Sequence, residues 1–372
     1  MPRHFLRVFP SGTLKTPIYY QYNAGIEQQV ASRGNLRLDF VGTRGLHEPY
    51  QVQLNGYQNV CEGCFAPYNY GRPLDQRFGS VNEFRTDVNS SYAGMQASYT
   101  QQFGGLTLRG NYTYSHCLDE VSNGGLLSFS SQGILSPLPG ELARSYGNCD
   151  YDVRHNVSGF GLYQIPFHSS HAWLRQALGG WAFSETVFFH TGLPFTVLSQ
   201  PHTANNRSIF QASGPQFARR VPGAPVYRKA AYLGVTIAGT KQWLNPDAFV
   251  SVIDPTTGAC TGGDSVANCQ FGDSGRNTVR GPHFTDSDLY ITKSFKIHEG
   301  VTLQLDAQLF NAFNHPNFAL PSTVEAGVPA TFVPPKFGTL QSTISTPTGL
   351  LGVGLGGDSS PRMIAFQGRI EF

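Results

Sequence analysis

Few residues in this chain have types and spacing suited to chemistry. Gly272-Asp273-Ser274-Gly275 could present Ser274 as a nucleophile, with His116 upstream as a base. That chemistry needs a carboxylate on the imidazole and an oxyanion hole beside the serine. Nothing in the sequence supplies them, and Arg276-Asn277 follow directly. The plainer reading is a glycine-rich turn, with a secreted serine hydrolase as the distant alternative. His168 and His171 could ligate a metal, but no third ligand stands nearby to complete a site. Asp286 and Asp288, two apart, would share one face of a strand and could line a cation path; a calcium loop needs more oxygen ligands in fixed spacing. The expectation is no catalytic residue, no metal and no cofactor.

Cysteine is more informative. The six are Cys61, Cys64, Cys117, Cys149, Cys260 and Cys269. Six cysteines allow fifteen pairings. Cys117 and Cys149 flank one intervening stretch and Cys260 and Cys269 bracket another, so both pairs are expected as disulfides in an oxidising compartment. Cys61 and Cys64 could form a small local bridge. A zinc site would need a second such pair, or two histidines, to reach four ligands.

The elements that would carry these residues are strands. Charged residues make up 13% of the 372, aromatics another 13%, and 42 glycines accompany 24 prolines. Many short strands and loops suit that composition. A net charge of +2 without a basic run gives no argument for nucleic acid, and none is expected as a partner. No apolar run approaches the ~18 residues of a membrane helix. Any residence in a membrane must therefore come from a barrel.

Nine segments read as strands by a period of two, the mark of one apolar and one wet face, with Val153 to Ile165, Trp181 to His190 and Asp288 to Lys296 alternating less well. They are Ile18 to Val30, Asn35 to Arg44, Tyr92 to Phe103, Leu106 to Ser115, Val153 to Ile165, Trp181 to His190, Asp288 to Lys296, Val301 to Phe310 and the tail MIAFQGRIEF. In Leu106 to Ser115, for example, Leu106, Leu108, Tyr112 and Tyr114 oppose Thr107, Arg109, Asn111 and Thr113. Arg37, Arg109 and Arg369 fall on polar faces, where a water-filled lumen would accept them. The connections alternate between short and long, the layout of outer-membrane barrels, whose short turns are periplasmic. All six cysteines are expected in the long, extracellular connections. Trp173, Trp181, Tyr163 and Phe167 gather at one short-side turn, as an aromatic girdle would.

The tail places Ile364, Phe366, Gly368, Ile370 and Phe372 on one side. Ending on that alternation and a C-terminal aromatic resembles the closing strand of bacterial outer-membrane barrels. On that resemblance Phe372 is the signal read by the barrel assembly machinery. More widely, the chain resembles the TonB-dependent outer-membrane receptor family, in its Oar-like branch. The text that carries this is NSSYAGMQ from Asn89, NYTYSH from Asn111, YDVRHN from Tyr151, TGLPF from Thr191, LNPDAF from Leu244, GRNTVRGP from Gly275 and LFNAFNHPNF from Leu309.

The resemblance implies an all-β fold, the C-terminal part of an antiparallel transmembrane β-barrel, over residues 18–372, after a non-barrel segment 1–17. It implies uptake of a large, scarce solute (siderophore, oligosaccharide or peptide) across the outer membrane. Its partners would be outer-membrane lipid, the assembly machinery and, only if an upstream segment supplies the plug that this sequence lacks, the TonB complex. The start MPRHFLRVFP has too short an apolar core for a secretory signal, so the expectation is either a C-terminal fragment or a true start further upstream. Loops Gln200 to Val226 and Asn317 to Lys336 are expected as external binding surfaces. A non-transporting surface or adhesive barrel is the alternative.

Overall fold

The computed structural model describes residues 7–10, 12–53, 77, 81–122, 142–197, 217–228, 236–237, 240–250, 273–321, 337–340, 343–344 and 362–372. Nine strands run through it: β1 Ile18–Ala31, β2 Gly34–Gln53, β3 Val81–Phe103, β4 Leu106–Asp119, β5 His155–Gln164, β6 Trp181–His190, β7 Phe284–His298, β8 Val301–Phe310 and β9 Met363–Glu371. Each pairs antiparallel with the next in chain order, so the sheet is an uninterrupted meander from β1 to β9. Arg7–Pro10 adds a parallel pairing to Val81–Phe84 on the edge opposite β2, beyond the end of β4.

Register carries one face across the whole sheet. Ile26, Leu38, Ala97, Tyr112 and Val157 stand opposite one another in turn, then Phe189 and Thr285. At the other end Ile291, Ala307 and Phe366 do the same. The reverse face carries Glu27, Arg37, Ser98, Asn111 and Ser158 in the same way. Because the side-chain period is two, this continuity means no strand has slipped by a residue. The apolar face is exposed: Phe366 at 82%, Ile26 at 68% and Met95 at 57%.

On one rim the strands join through tight turns at Ser32–Arg33, Gly104–Gly105 and Glu299–Gly300. Arg33, Gly104, Gly105 and Gly300 all have positive φ there, the backbone that two-residue hairpins require. On the other rim β2 and β3 run 20 and 23 residues, well past the ~9–11 that a tilted strand needs to cross a bilayer. The described parts of the long connections on that rim are folded. Pro194–Phe195 pairs with Val279–Arg280, Arg219–Arg220 with Phe249–Val250, and Thr240–Gln242 bridges Thr236–Ile237 and Thr339–Leu340. Between them lies a core of Phe195, Val197, Ala218, Trp243, Leu244, Ala248, Phe249, Val279, Phe337 and Leu340. The molecule thus has a wall and a cap.

Two expectations are corrected here. Cys117 lies within β4 rather than in a loop, because the ladder continues to Asp119 and Gly147–Asn148 pairs against Leu118 and Asp119. The connection 165–180 is more than a turn: Ala172–Leu178 is a helix, α1.

Candidate functional site

The strongest concentration of polar groups lies where the cap meets the tops of β4, β5 and β6. Arg276 is 6% exposed, and its Nη1 donates to Asp119 Oδ1 (2.7 Å) and to the carbonyls of Asp119 and Ser145 (3.0 Å each). Its Nη2 donates to Ser122 Oγ (2.7 Å) and stands 3.5 Å from Asp150 Oδ1. Asp119 in turn accepts from Ser122 Oγ at 2.7 Å. Burial pushes the Asp119 carboxyl up from its ordinary value, while the Arg276 guanidinium and the Ser122 hydroxyl act against that rise. A buried carboxylate and guanidinium need such full hydrogen bonding to coexist away from water.

Asp152, 1% exposed, is the second node. It accepts from Cys117 N (2.7 Å), from Arg154 Nε (2.9 Å) and from Arg280 Nη2. Arg280 also donates to the carbonyls of Asp152 (2.8 Å) and Gly192 (3.1 Å). Asn277, held at φ 55°, joins the nodes. Its Nδ2 donates to Asn148 O and Asp150 Oδ1, and Asn148 Nδ2 returns a bond to Asn277 O, all at 2.7 Å. A third staple ties the last loop down: Asn317, 1% exposed, accepts from Thr285 N and donates to Thr285 O, each at 2.9 Å. Cys117 and Cys149 are disulfide-bonded beneath these staples.

Each staple comes from one of the recognised stretches of text. GRNTVRGP contributes Arg276, Asn277 and Arg280, and Val279 to the core; YDVRHN contributes Asp152 and Arg154; LFNAFNHPNF contributes Asn317. In TGLPF, Thr191 Oγ1 accepts from the amides of Arg154 and His155, and Phe195 enters the core. In LNPDAF, Asn245 caps a short 3-10 turn with Pro246 in its first positions, driving Leu244, Ala248 and Phe249 inward. Gly192 sits where an added Cβ would fall 1.8 Å from Gly281 O, so any side chain there would push the two loops apart.

The residues singled out for chemistry are placed differently. Ser274 is buried and its Oγ donates to Val197 O at 3.0 Å; His116 Nε2 meets Asn148 Oδ1 at 3.0 Å. Each is thus a piece of cap scaffolding. His168 and His171 are exposed, His171 preceding α1. Asp286 and Asp288 do share the polar face of β7, and Asp288 Oδ1 accepts from Asn311 N at 2.9 Å. Arg37, Arg109 and Arg369 all stand on the polar face by register; Arg37 pairs with Asp39 (2.7 Å) and Arg369 with Glu371 (2.8 Å). Phe372 is 97% exposed. Cys61, Cys64, Cys260 and Cys269 lie outside the described residues, as do most of the loops Gln200 to Val226 and Asn317 to Lys336.

What this arrangement does is hold geometry. The charges at the nodes are matched to one another, and with the Asn317 staple they tie the described parts of three connections, 120–154, 191–283 and 311–362, into one layer above a polar-faced wall. Residues 5–350 match the family described as outer membrane beta barrel domain. The chain belongs to that family. This outer-membrane β-barrel protein resides in the bacterial outer membrane, with the apolar face of its wall against lipid.

No curated protein matches it in sequence. Three solved structures share its general form at low similarity. The outer membrane transporter YddB from Escherichia coli aligns over all of this chain and 34% of its own, at 7% identity and a TM-score of 0.47. The FrpB iron transporter from Neisseria meningitidis aligns over all of this chain and 33% of its own, at 10% identity and 0.39. FpvA of P. aeruginosa, bound to heterologous pyoverdines, aligns over 85% of this chain and 26% of its own, at 10% identity and 0.38. The chain spans about a third or less of each.

Proposed function

We propose that the chain forms the wall and external face of a TonB-dependent receptor of the Oar-like branch, admitting a large, scarce solute across the outer membrane. The observation that carries this is the cap. Long connections that only closed hairpins would need no core and no buried ion pairs. Here they are built into a rigid layer at the rim facing the medium, which is what a ligand-gripping surface requires. Below it the polar face offers Arg37, Arg109 and Arg369 to an aqueous lumen.

In this reading no catalytic residue takes part. Solute docks on the cap, and force from the TonB complex opens the path only where a plug is supplied to receive it. Phe372 addresses the chain to the barrel assembly machinery. The test is deletion of the gene in its own bacterium, followed by uptake of siderophores, oligosaccharides and peptides with and without the proton-motive force. Loss of energy-dependent uptake of one class supports the reading. Unchanged uptake of all three overturns it and leaves a surface or adhesive barrel.

A further inference from the structure

At the short-turn rim, three connections are made by two residues each, yet β5 and β6 are joined by 165–180. Antiparallel neighbours do not need that length. The extra chain forms α1, Ala172–Leu178, whose sequence AWLRQAL is apolar at five of seven positions. None of its residues is buried, and Trp173 and Leu178 are 69% and 50% exposed. A helix this short is unstable alone in water, where isolated helices below ~12–15 residues are marginal. Exposing a tryptophan and a leucine makes an aqueous setting worse still.

The wall fixes where this helix lies. Lys293 occupies the apolar face of β7, in line with Ile291 and Phe295 and opposite Trp181 and Leu305. It is nevertheless 6% exposed, because its Nζ donates to the carbonyls of Gln176 (2.6 Å), Ala177 (3.2 Å) and Gly179 at the C-terminal end of α1. Those carbonyls have no partner within the helix, and an ammonium there also meets the negative end of the helix dipole. The same Nζ lies 5.1 Å over the Trp181 ring and 4.9 Å over the Phe295 ring. Trp181 Nε1 donates to Ala177 O at 3.1 Å, and Gln176 Nε2 donates to Lys296 O. The helix is therefore pinned by its C-terminal end to the lipid-facing side of the wall.

We infer that α1 is an interfacial anchor: it lies in the headgroup region of the periplasmic leaflet, with Trp173 and Leu178 inserted among lipid chains and Lys293 as its pin. The surface is continuous with the wall's own lipid contact, which commits it to a phospholipid surface. A tryptophan at headgroup depth and a short apolar helix lying in the plane are the forms that such a boundary favours. The inference rests on residence in the membrane and is independent of transport.

The full chain, reconstituted in phosphatidylcholine vesicles, tests it through tryptophan fluorescence. Subtracting the Trp173→Phe spectrum isolates the Trp173 component. Lipid brominated near the headgroup should quench that component more than lipid brominated near the chain ends, and acrylamide in the water should reach it poorly. Lys293→Met should reverse both, provided the variant keeps its disulfide and the heat-dependent gel mobility of a folded barrel. A Trp173 component open to acrylamide and blind to both brominated lipids overturns the anchor. Quenching unchanged in Lys293→Met overturns the pin.

Discussion

Phe366 in the wall and Phe195 in the cap are the same side chain under opposite rules: the first is 82% exposed, the second 0%. The wall turns its apolar residues outward and its ion pairs, such as Arg37–Asp39, inward to water. The cap turns Phe195, Leu244 and Phe249 inward and seals its ion pair, Arg276–Asp119, beneath them. What differs is the solvent on each side. Hydrocarbon lies against one face of the wall, whereas water surrounds the cap, and burial follows the solvent rather than the residue type. A single chain thus contains both inside-out and ordinary protein, with the boundary crossing strands near their upper ends.

The comparison breaks most readily at its polar seam. Arg276→Met leaves Asp119 buried without its cation, which should destabilise the cap by about 3–5 kcal/mol. Protease susceptibility of the long connections should rise sharply while the wall keeps its heat-dependent gel mobility. If the wall melts with the cap, the two are one cooperative unit and the comparison fails. Next, one substitution applied in both regions gauges the difference. Phe195→Ala should cost about 3–5 kcal/mol through a cavity that nothing fills. Phe366→Ala should cost far less, since lipid chains flow into the space. Denaturant titration of the two variants in the same vesicles measures both.

Charge sharpens the contrast in the other direction. Leu305, midway along β8 on the apolar face, should tolerate arginine badly, at about 2–4 kcal/mol near the bilayer midplane. Tyr146, exposed in the cap, should accept arginine within about 0.5 kcal/mol.

The smallest effect is alkaline. Tyr50, 2% exposed in β2 above the membrane band, packs with Val88 and Val121, and its phenol is pushed up to about 12 by burial and by its bond to Asp87. The folded state holds that proton more tightly than the unfolded chain does. Stability therefore falls as pH rises from about 10 to about 12. Tyr50→Phe should flatten that slope, and absorbance of tyrosinate against pH would show it.

The wall was legible because alternation is a local signal. Leu106 to Ser115 declares its two faces within ten residues, and every strand so read was found in its place, most of them longer. Extension beyond the alternating stretch was missed where wet and apolar residues mix, as in Gly45 to Gln53, since both faces leave the lipid there. The cap was not legible. Its strands are two or three residues long, too short for any period, and its core draws on segments around 195, 218, 244, 279 and 337.

The Arg276–Asp119 lock joins residues 157 apart, and nothing in either neighbourhood points to the other. Its only trace was the run GRNTVRGP, which carried the family resemblance and said nothing of what its arginines would meet. Helix α1 escaped for the same reason as the cap strands: seven residues span too few turns for a periodic face to emerge. The Cys117–Cys149 pairing was foreseen from spacing, although Cys117 itself was misplaced in a loop because the strand was ended too early.

The distance along the chain between the two halves of that lock also orders assembly. Asp119 closes β4, while Arg276 arrives only with the segment leading into β7, after two further strands and most of the connection that follows β6. Contacts of such separation form late, because the intervening chain must be confined first. The lock can therefore close only once β5, β6 and the segment leading into β7 have all been made, so the later part of the chain seals what the earlier part began.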